Sequence, residues 1–377
     1  MLGLYVHVPF CSAICNYCNF NRGLFDEGLK RVYVQALLAE IARTGDGSPA
    51  DTIFFGGGTP SLLEPSEIGA IVAALRQAFA VTGDAEVTLE TNPETVTAER
   101  LAGFRAAGVN RVSFGVQSLR DDELIRLSRI HSASRAREAV AQARAAGFDN
   151  LSLDLMMWLP QQTLGQWLES IDGLIALEPD HASLYLLELY PNAPLRETMA
   201  REHWSLAPDD DAADMYLAAL ERLDAAGFEQ YEISNVAKAG RVSRHNLKYW
   251  EDGEWLGLGC GAHSTRGGTR WKNVSATEDY IAVVTGGGSL RTDVREMTIR
   301  ERSEEAAFTG LRLTAGVDLP VIREKYGVDL WEECGRELMR FVEAGVLTYD
   351  VCRLRLTRRG MLLANEVMAA LISPSVR

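Results

Sequence analysis

The 377-residue chain reads as an α/β protein, a partial (β/α)6 barrel followed by a smaller C-terminal α+β module. Three observations predict this. Short apolar, β-rich runs alternate with longer helical patterns through the first half of the chain, which is the signature of βα units and a parallel sheet. Polar or glycine-rich residues stand at the carboxyl end of one strand after another, where a parallel barrel opens its active site. The final stretch changes pattern, with helices leading into a small hairpin. On this reading residues 1–200 form the barrel, 201–295 complete its side, and 296–377 form the terminal module.

The six expected strands are Leu2–Val8, Thr52–Phe55, Glu86–Glu90, Arg111–Phe114, Leu151–Leu155 and Ala182–Leu187. Helical patterns over Leu29–Arg43, Glu67–Ala80, Ala98–Ala107, Ser134–Ala146 and Leu164–Leu177 separate them. Gly108, Gly147 and Gly227 follow helical stretches and suit left-handed C-terminal caps.

The first strand leads into Cys11, Cys15 and Cys18, spaced C-x3-C-x2-C, with no fourth cysteine before Cys260. Three thiolates are one short of a closed site. A [4Fe-4S] cubane held by three cysteines keeps one iron open to a small molecule. A structural zinc would recruit a fourth ligand, such as His7 or a distant residue, and that reading stays open on spacing alone.

The other strand ends carry Gly56-Gly57-Gly58-Thr59-Pro60, Glu90-Thr91-Asn92-Pro93, Gly115-Val116-Gln117-Ser118 and Asp154. Glycines let backbone groups approach a zwitterionic ligand closely, with the Thr59 hydroxyl beside them. Glu90 and Asp154 can accept hydrogen bonds from ribose hydroxyls or an ammonium, Gln117 can donate and accept, and Arg129 can face a carboxylate. Any one of these is equally explained by a turn, a cap or a surface ion pair. Tyr5 and His7 share one face of the first strand.

These motifs together resemble the radical SAM superfamily. The run from Tyr5 to Phe20, the Gly56–Pro60 turn, Thr88–Pro93, Ser113–Ser118 and Arg129–His131 are similar to its coproporphyrinogen III dehydrogenase-like branch. The resemblance implies that Cys11, Cys15 and Cys18 ligate a [4Fe-4S] cluster, whose open iron is chelated by S-adenosylmethionine. An electron from the cluster then cleaves that ligand to methionine and a 5'-deoxyadenosyl radical. It also implies that Tyr5, Gly57, Gly58, Thr59, Glu90, Gln117, Arg129 and Asp154 contact S-adenosylmethionine.

The dehydrogenases of this branch carry a further cysteine two residues after the third ligand, where this chain has Phe20. That is similar to the HemW subfamily, regarded as heme chaperones. His245-Asn246-Leu247-Lys248-Tyr249 matches that subfamily's His-Asn-x-x-Tyr motif, which is associated with heme binding and implies a heme site at His245, Asn246 and Tyr249. Neutral imidazole is a good axial ligand to heme iron, and aromatic faces suit a porphyrin. The bland alternative is a His-Asn turn before a buried aromatic strand. Cys260 and His263, in the glycine-rich run from Gly257 to Ser264, are soft ligands by type, or simply a buried thiol and a turn histidine. The chain departs from its relatives at Trp158 and Gln161, where glycines are usual. An indole there is expected to narrow the substrate end of the pocket.

In the terminal module, helical patterns over Ser303–Leu313 and Leu330–Ala344 precede strands at Val346–Tyr349 and Arg353–Thr357 and a last helix from Arg359. The order is winged-helix-like, and the family has such a module. From Arg300 onward twelve Lys and Arg face twelve Asp and Glu, which gives no phosphate-binding surface. A net charge of -14 likewise argues against nucleic acid or an anionic membrane as partner. With no signal-like segment and few cysteines outside the cluster, a reducing cytoplasm is expected.

Two function classes follow. A heme carrier would use the cluster and S-adenosylmethionine in delivering heme to an acceptor protein such as a respiratory enzyme, with an electron donor for the cluster and at most peripheral membrane contact through the acceptor. A radical enzyme would instead act on coproporphyrinogen III or a related tetrapyrrole. Phe20 and the His-Asn motif favour the carrier.

Overall fold

The computed structural model describes residues 1–372. Twelve strands form one sheet: β1 (Leu2–Val8), β2 (Pro49–Gly57), β3 (Ala80–Thr91), β4 (Arg111–Gln117), β5 (Leu151–Met157), β6 (His181–Leu186), β7 (Glu229–Glu232), β8 (Asn235–Ala237), β9 (Trp255–Leu258), β10 (His263–Arg266), β11 (Thr269–Asn273) and β12 (Arg291–Glu296). Their order across the sheet is β12-β11-β10-β9-β1-β2-β3-β4-β5-β6-β8-β7. The six expected strands are there, in parallel pairing from β1 to β6. A seventh, β9, also runs parallel to β1, with Gly3 opposite Trp255 and Tyr5 opposite Gly257. The barrel wall is thus wider than the six-strand count, and antiparallel β10 to β12 widen it further.

Strand alternation sorts the barrel into two faces. Leu4, Val6, Val8, Ile53, Phe55, Val87, Leu89, Val112, Phe114, Leu153 and Leu184 join the main hydrophobic core beneath the helices. Each such side chain fully removed from water stabilises the fold by about 1.5–3 kcal/mol. The opposite face points into the barrel and is polar: Tyr5, His7, Thr52, Glu86, Thr88, Glu90, Arg111, Ser113, Ser152, Asp154, His181 and Ser183. The helices begin where side-chain oxygens can cap them. Asp26, Thr97, Ser132 and Thr163 each accept from a backbone amide of the first turn. Gly108, Gly147 and Gly227 take the expected left-handed conformation after their helices.

The terminal module runs helix Ile299–Gly310, strand Val317–Asp318, helices Leu319–Tyr326 and Leu330–Glu343, then strands Leu347–Tyr349 and Arg353–Leu356. Its three strands pair antiparallel. The sequence reading missed Val317–Asp318 and Leu319–Tyr326. Among the described residues, no helix is long and apolar enough to cross a membrane.

Candidate functional site

A cavity of about 420 Å³ opens at the carboxyl ends of the parallel strands. Its wall includes Cys11, Cys15 and Cys18 with Gly57, Gly58, Thr59, Glu90, Gln117, Arg129 and Asp154. Five strands and their loops therefore bring the expected residues to one place, although 143 positions separate the first of them from the last. Tyr5 stands apart from that wall. Its hydroxyl lies 3.2 Å from His7 Nδ1 and its ring stacks on Phe54, so it packs inside the barrel below the cavity.

The cysteine loop is pinned from several sides. Asn16 donates to the Arg126 carbonyl at 2.8 Å and its own carbonyl accepts from the Leu195 amide. Phe25 N–H closes onto the Cys11 carbonyl at 2.9 Å. His7 Nε2 donates to the Asn21 carbonyl at 2.7 Å, which leaves Nδ1 as acceptor for the Tyr5 hydroxyl. Asn21 in turn donates to the carbonyls of Cys260 and Ser275. Arg22 donates to the carbonyls of Cys18 and Phe20; the sequence reading missed this cation, whose position depends on the loop closing around it.

All three thiols are free. Arg129 donates to Cys15 Sγ at 3.3 Å and to the Gly115 carbonyl at 2.6 Å, and Thr59 Oγ1 points at Cys11 Sγ at 3.6 Å. Burial pushes the Cys11 thiol up, opposed by the Thr59 hydrogen bond. Among the described residues, no three His, Cys, Asp or Glu side chains gather closely enough to hold a single metal ion. A cubane engages its cysteines on separate irons, so a spread triad on one cavity wall fits a cluster and gives a zinc knuckle no support.

The rest of the wall fits a polar ligand. Gly57 has φ +113°, and a Cβ there would meet the His7 ring at 2.6 Å; a Cβ on Gly58 would meet the Phe10 carbonyl at 2.6 Å. Glycine is required at both positions, which leaves backbone bare toward the cavity. Gln117 Oε1 is buried without a partner, an acceptor awaiting a donor. Glu90 and Asp154 both line the cavity, and each carboxylate is held in the barrel interior. Burial pushes the Glu90 carboxyl up to about 8, with the Asp154 charge adding to it, while the Gly57 amide and Arg111 pull it down. Burial also raises Asp154, against hydrogen bonds from Ser183, Ser113 and Ser152 and the charge of Arg111. Arg111 is 2 % exposed, a guanidinium held in the barrel interior beneath both carboxylates.

Comparison with known proteins agrees with this geometry. Residues 5–174 match the radical SAM superfamily model, and residues 297–363 match the HemN C-terminal domain. The chain is 38% identical to heme chaperone HemW of Bacillus subtilis, over 99% of each chain. The chain belongs to the HemW family of radical SAM proteins. Family relatives include heme chaperone HemW of Mycobacterium tuberculosis, 36% identical over 98% of this chain and 94% of that protein. Another is the bovine mitochondrial radical S-adenosyl methionine domain-containing protein 1, 38% identical over 98% and 87%. Among solved structures, the Escherichia coli radical SAM enzyme coproporphyrinogen III oxidase HemN superposes with a TM-score of 0.85 at 22% identity, covering 98% of this chain and 89% of that one. The fold is that of HemN.

The structure places the remaining motif residues as follows. His245 lies in a short helix, Arg244–Trp250, not before a strand, and it is fully buried. Its Nδ1 is 2.7 Å from Thr52 Oγ1, its Nε2 is 3.0 Å from the Tyr249 hydroxyl, and its ring stacks on Phe54. Burial lowers its pKa to about 3. Both nitrogens of the ring are thus engaged by protein partners. Asn246 contributes its backbone amide to the Ser243 cap. Trp158 and Gln161 take the left-handed conformation that their relatives' glycines suit, with φ of 61° and 59°. The Trp158 indole donates to the Ala207 carbonyl at 2.8 Å, so it packs against the 205–208 loop and does not narrow the cavity. Cys260 is a wholly buried thiol pushed up to about 11 by burial, which suits packing and not ligation.

Proposed function

We propose that this chain is a heme chaperone that binds heme in the cytoplasm and hands it to an acceptor protein. A [4Fe-4S] cluster on Cys11, Cys15 and Cys18 and S-adenosylmethionine in the adjoining cavity accompany that role, with an electron donor serving the cluster. The observation that carries the reading is similarity along essentially the whole chain to proteins named heme chaperones. Phe20 supports it: the side chain is 65% exposed at the mouth of the cavity, where the dehydrogenases resembled by this sequence have a thiol.

The residues assign themselves by chemistry. Gly57, Gly58 and Thr59 present backbone and hydroxyl groups to the methionyl end of S-adenosylmethionine, and Glu90, Gln117 and Asp154 serve its ribose or ammonium. Arg129 donates to Cys15 Sγ and is placed to face a carboxylate. When bound, the cluster supplies one-electron chemistry; the protein supplies ligation, orientation and exclusion of water. The intact wall for S-adenosylmethionine favours the second reading, radical chemistry on coproporphyrinogen III or a related tetrapyrrole.

The test is an anaerobic titration of the reconstituted protein with heme, followed by visible absorption, beside an assay for consumption of S-adenosylmethionine with coproporphyrinogen III. Saturable binding near one heme per chain, retained in a Cys15→Ala variant that has lost the cluster, is expected. Porphyrinogen-dependent consumption with a divinyl product and no heme binding would overturn the reading in favour of the enzyme.

A further inference from the structure

Four of the six histidines, His7, His131, His181 and His245, are buried with ring nitrogens in hydrogen bonds. His263 differs from them. It is exposed at the start of β10, and among the described residues nothing hydrogen-bonds to its ring. Strand alternation and register place it with Trp255, Thr265, Arg270 and Lys272 on one face of β9 to β11. That face continues the inner wall of the barrel past β1, because Trp255 lies in register with Gly3 and Gly257 with Tyr5.

A cavity of about 340 Å³ lies over this face, lined by His263, Trp255 and the cations Arg270, Lys272 and Arg295; Trp271, opposite Ser264, turns its side chain to the other face of the sheet. Asp293 is the acidic group in its wall. A second cavity of about 230 Å³ shares Trp255, Thr265 and Arg270 and adds Tyr249 and Met297; its far side carries Asp252, Glu254 and Glu305 with Arg302 and Lys325, so the cationic end is the one beside His263. The two cavities adjoin along that shared wall, and the one beside His263 is of the size ligand sites have. The cations are held by surface carboxylates, Lys272 by Asp293 at 2.8 Å, Arg270 by Glu305 and Arg295 by Glu301. The Lys272–Asp293 pair has an exposed carboxylate; such a pair is worth about 0–1 kcal/mol and exchanges readily for another carboxylate. Burial and then the Lys272 charge lower the His263 pKa, against the charge of Asp293.

A flat, apolar, dianionic ligand with an open metal position matches these features: imidazole for the metal, the Trp255 indole for the ring, and cations for the carboxylates. We infer that His263 is the axial ligand of a heme seated on the inner face of β9–β11, a placement that rests on the heme-chaperone reading. The His-Asn-x-x-Tyr helix then acts from behind. His245 bonds Tyr249, and the Tyr249 ring packs edge-on against Trp255 at 4.7 Å, so the buried motif props the indole that floors the groove. His245 is a positioning residue in this arrangement and His263 the ligand.

Visible and EPR titration of the reconstituted full chain with hemin separates the two roles. In His263→Ala, affinity falls by at least about tenfold and the absorption of imidazole-ligated iron is lost; in His263→Gly, added imidazole restores it. His245→Ala weakens binding but keeps the wild-type spectrum. Lys272→Glu with Arg295→Glu weakens binding of both hemin and iron-free protoporphyrin without moving the hemin spectrum. Wild-type affinity and spectrum in His263→Ala, or loss of the spectrum in His245→Ala alone, overturns the assignment while leaving the chaperone reading intact. No saturable binding by the wild type overturns the chaperone reading itself.

Discussion

Glu90 gives the cofactor wall a measurable pH dependence. Its carboxyl is raised to about 8 by burial and by Asp154, with Arg111 and the Gly57 amide opposing, so at pH 7 it is protonated in the ligand-free protein. The hydroxyls of Tyr5, Tyr249 and Tyr185 also feel its charge, and burial holds them neutral. S-adenosylmethionine brings a sulfonium cation into this site, which favours the ionised carboxylate and expels the proton. If the complex holds Glu90 ionised, affinity falls toward tenfold for each pH unit well below about 8, about fiftyfold in all between about pH 8 and about pH 6. The ligand's own amino group titrates at about 7.7–8.0 and adds a slope of its own. The readout is therefore the difference between wild type and Glu90→Gln, measured by calorimetry on anaerobically reconstituted protein. Arg111→Met removes the opposing cation and moves the wild-type midpoint upward. Stability carries the opposite sign: the native state binds the extra proton, so stability without ligand falls as pH rises from about 4.3, the unfolded value, through about 8, and Glu90→Gln flattens that fall. Identical slopes in wild type and Glu90→Gln would refute the assignment of Glu90 to the ligand.

Two further expectations concern the scaffold. Glu40 is buried, accepting from Tyr280 Oη at 2.6 Å, Gly259 N at 2.7 Å and Asn273 Nδ2 at 2.7 Å. Tyr280→Phe leaves that carboxylate short of one donor and lowers stability by about 1–3 kcal/mol in urea unfolding; an unchanged midpoint would mean that water replaces the hydroxyl without penalty. At Gln161, exposed and left-handed, substitution by glycine relieves backbone strain and gains up to about 1 kcal/mol. Trp158→Gly gains the same relief but loses the bond to Ala207 and the packing of the indole, for a net loss of about 1–3 kcal/mol. Neither change alters affinity for S-adenosylmethionine, and tighter binding in Trp158→Gly would reinstate the indole as an obstruction.

The parallel strands were legible because their helix-facing residues are strongly apolar and their inward residues polar, as in Ser113 against Val112 and Phe114. The cysteine triad and the strand-end motifs were legible because cluster and cofactor chemistry restrict residue type at short spacing. The β9–β12 wall was not. Trp255–Leu258 and His263–Arg266 are four residues each, and Arg291–Glu296 is polar and mostly exposed. Nothing in their local pattern marks a strand; pairing with β1 and with each other does. The helix Leu319–Tyr326 carried a signal that went unused, with Gly316 left-handed before it, Asp318 as its cap and Pro320 in its first turn.

The His-Asn-x-x-Tyr motif shows how a sequence signature and a contact differ. A short helix brings residues four apart onto one face, so His245 and Tyr249 meet, and the capping bond from Ser243 turns the imidazole inward against Thr52 and Phe54. The same spacing on a surface helix would have left both side chains for a ligand. Here Lys248 is drawn to Asp51 at 2.6 Å, and Gly3 leaves room for both it and the imidazole, so the ring is locked on every side. What the motif fixes is therefore the position of Tyr249 and, through it, of Trp255 at the edge of an open groove. On the proposed seat beside His263, the motif governs heme binding without its own histidine touching the ligand.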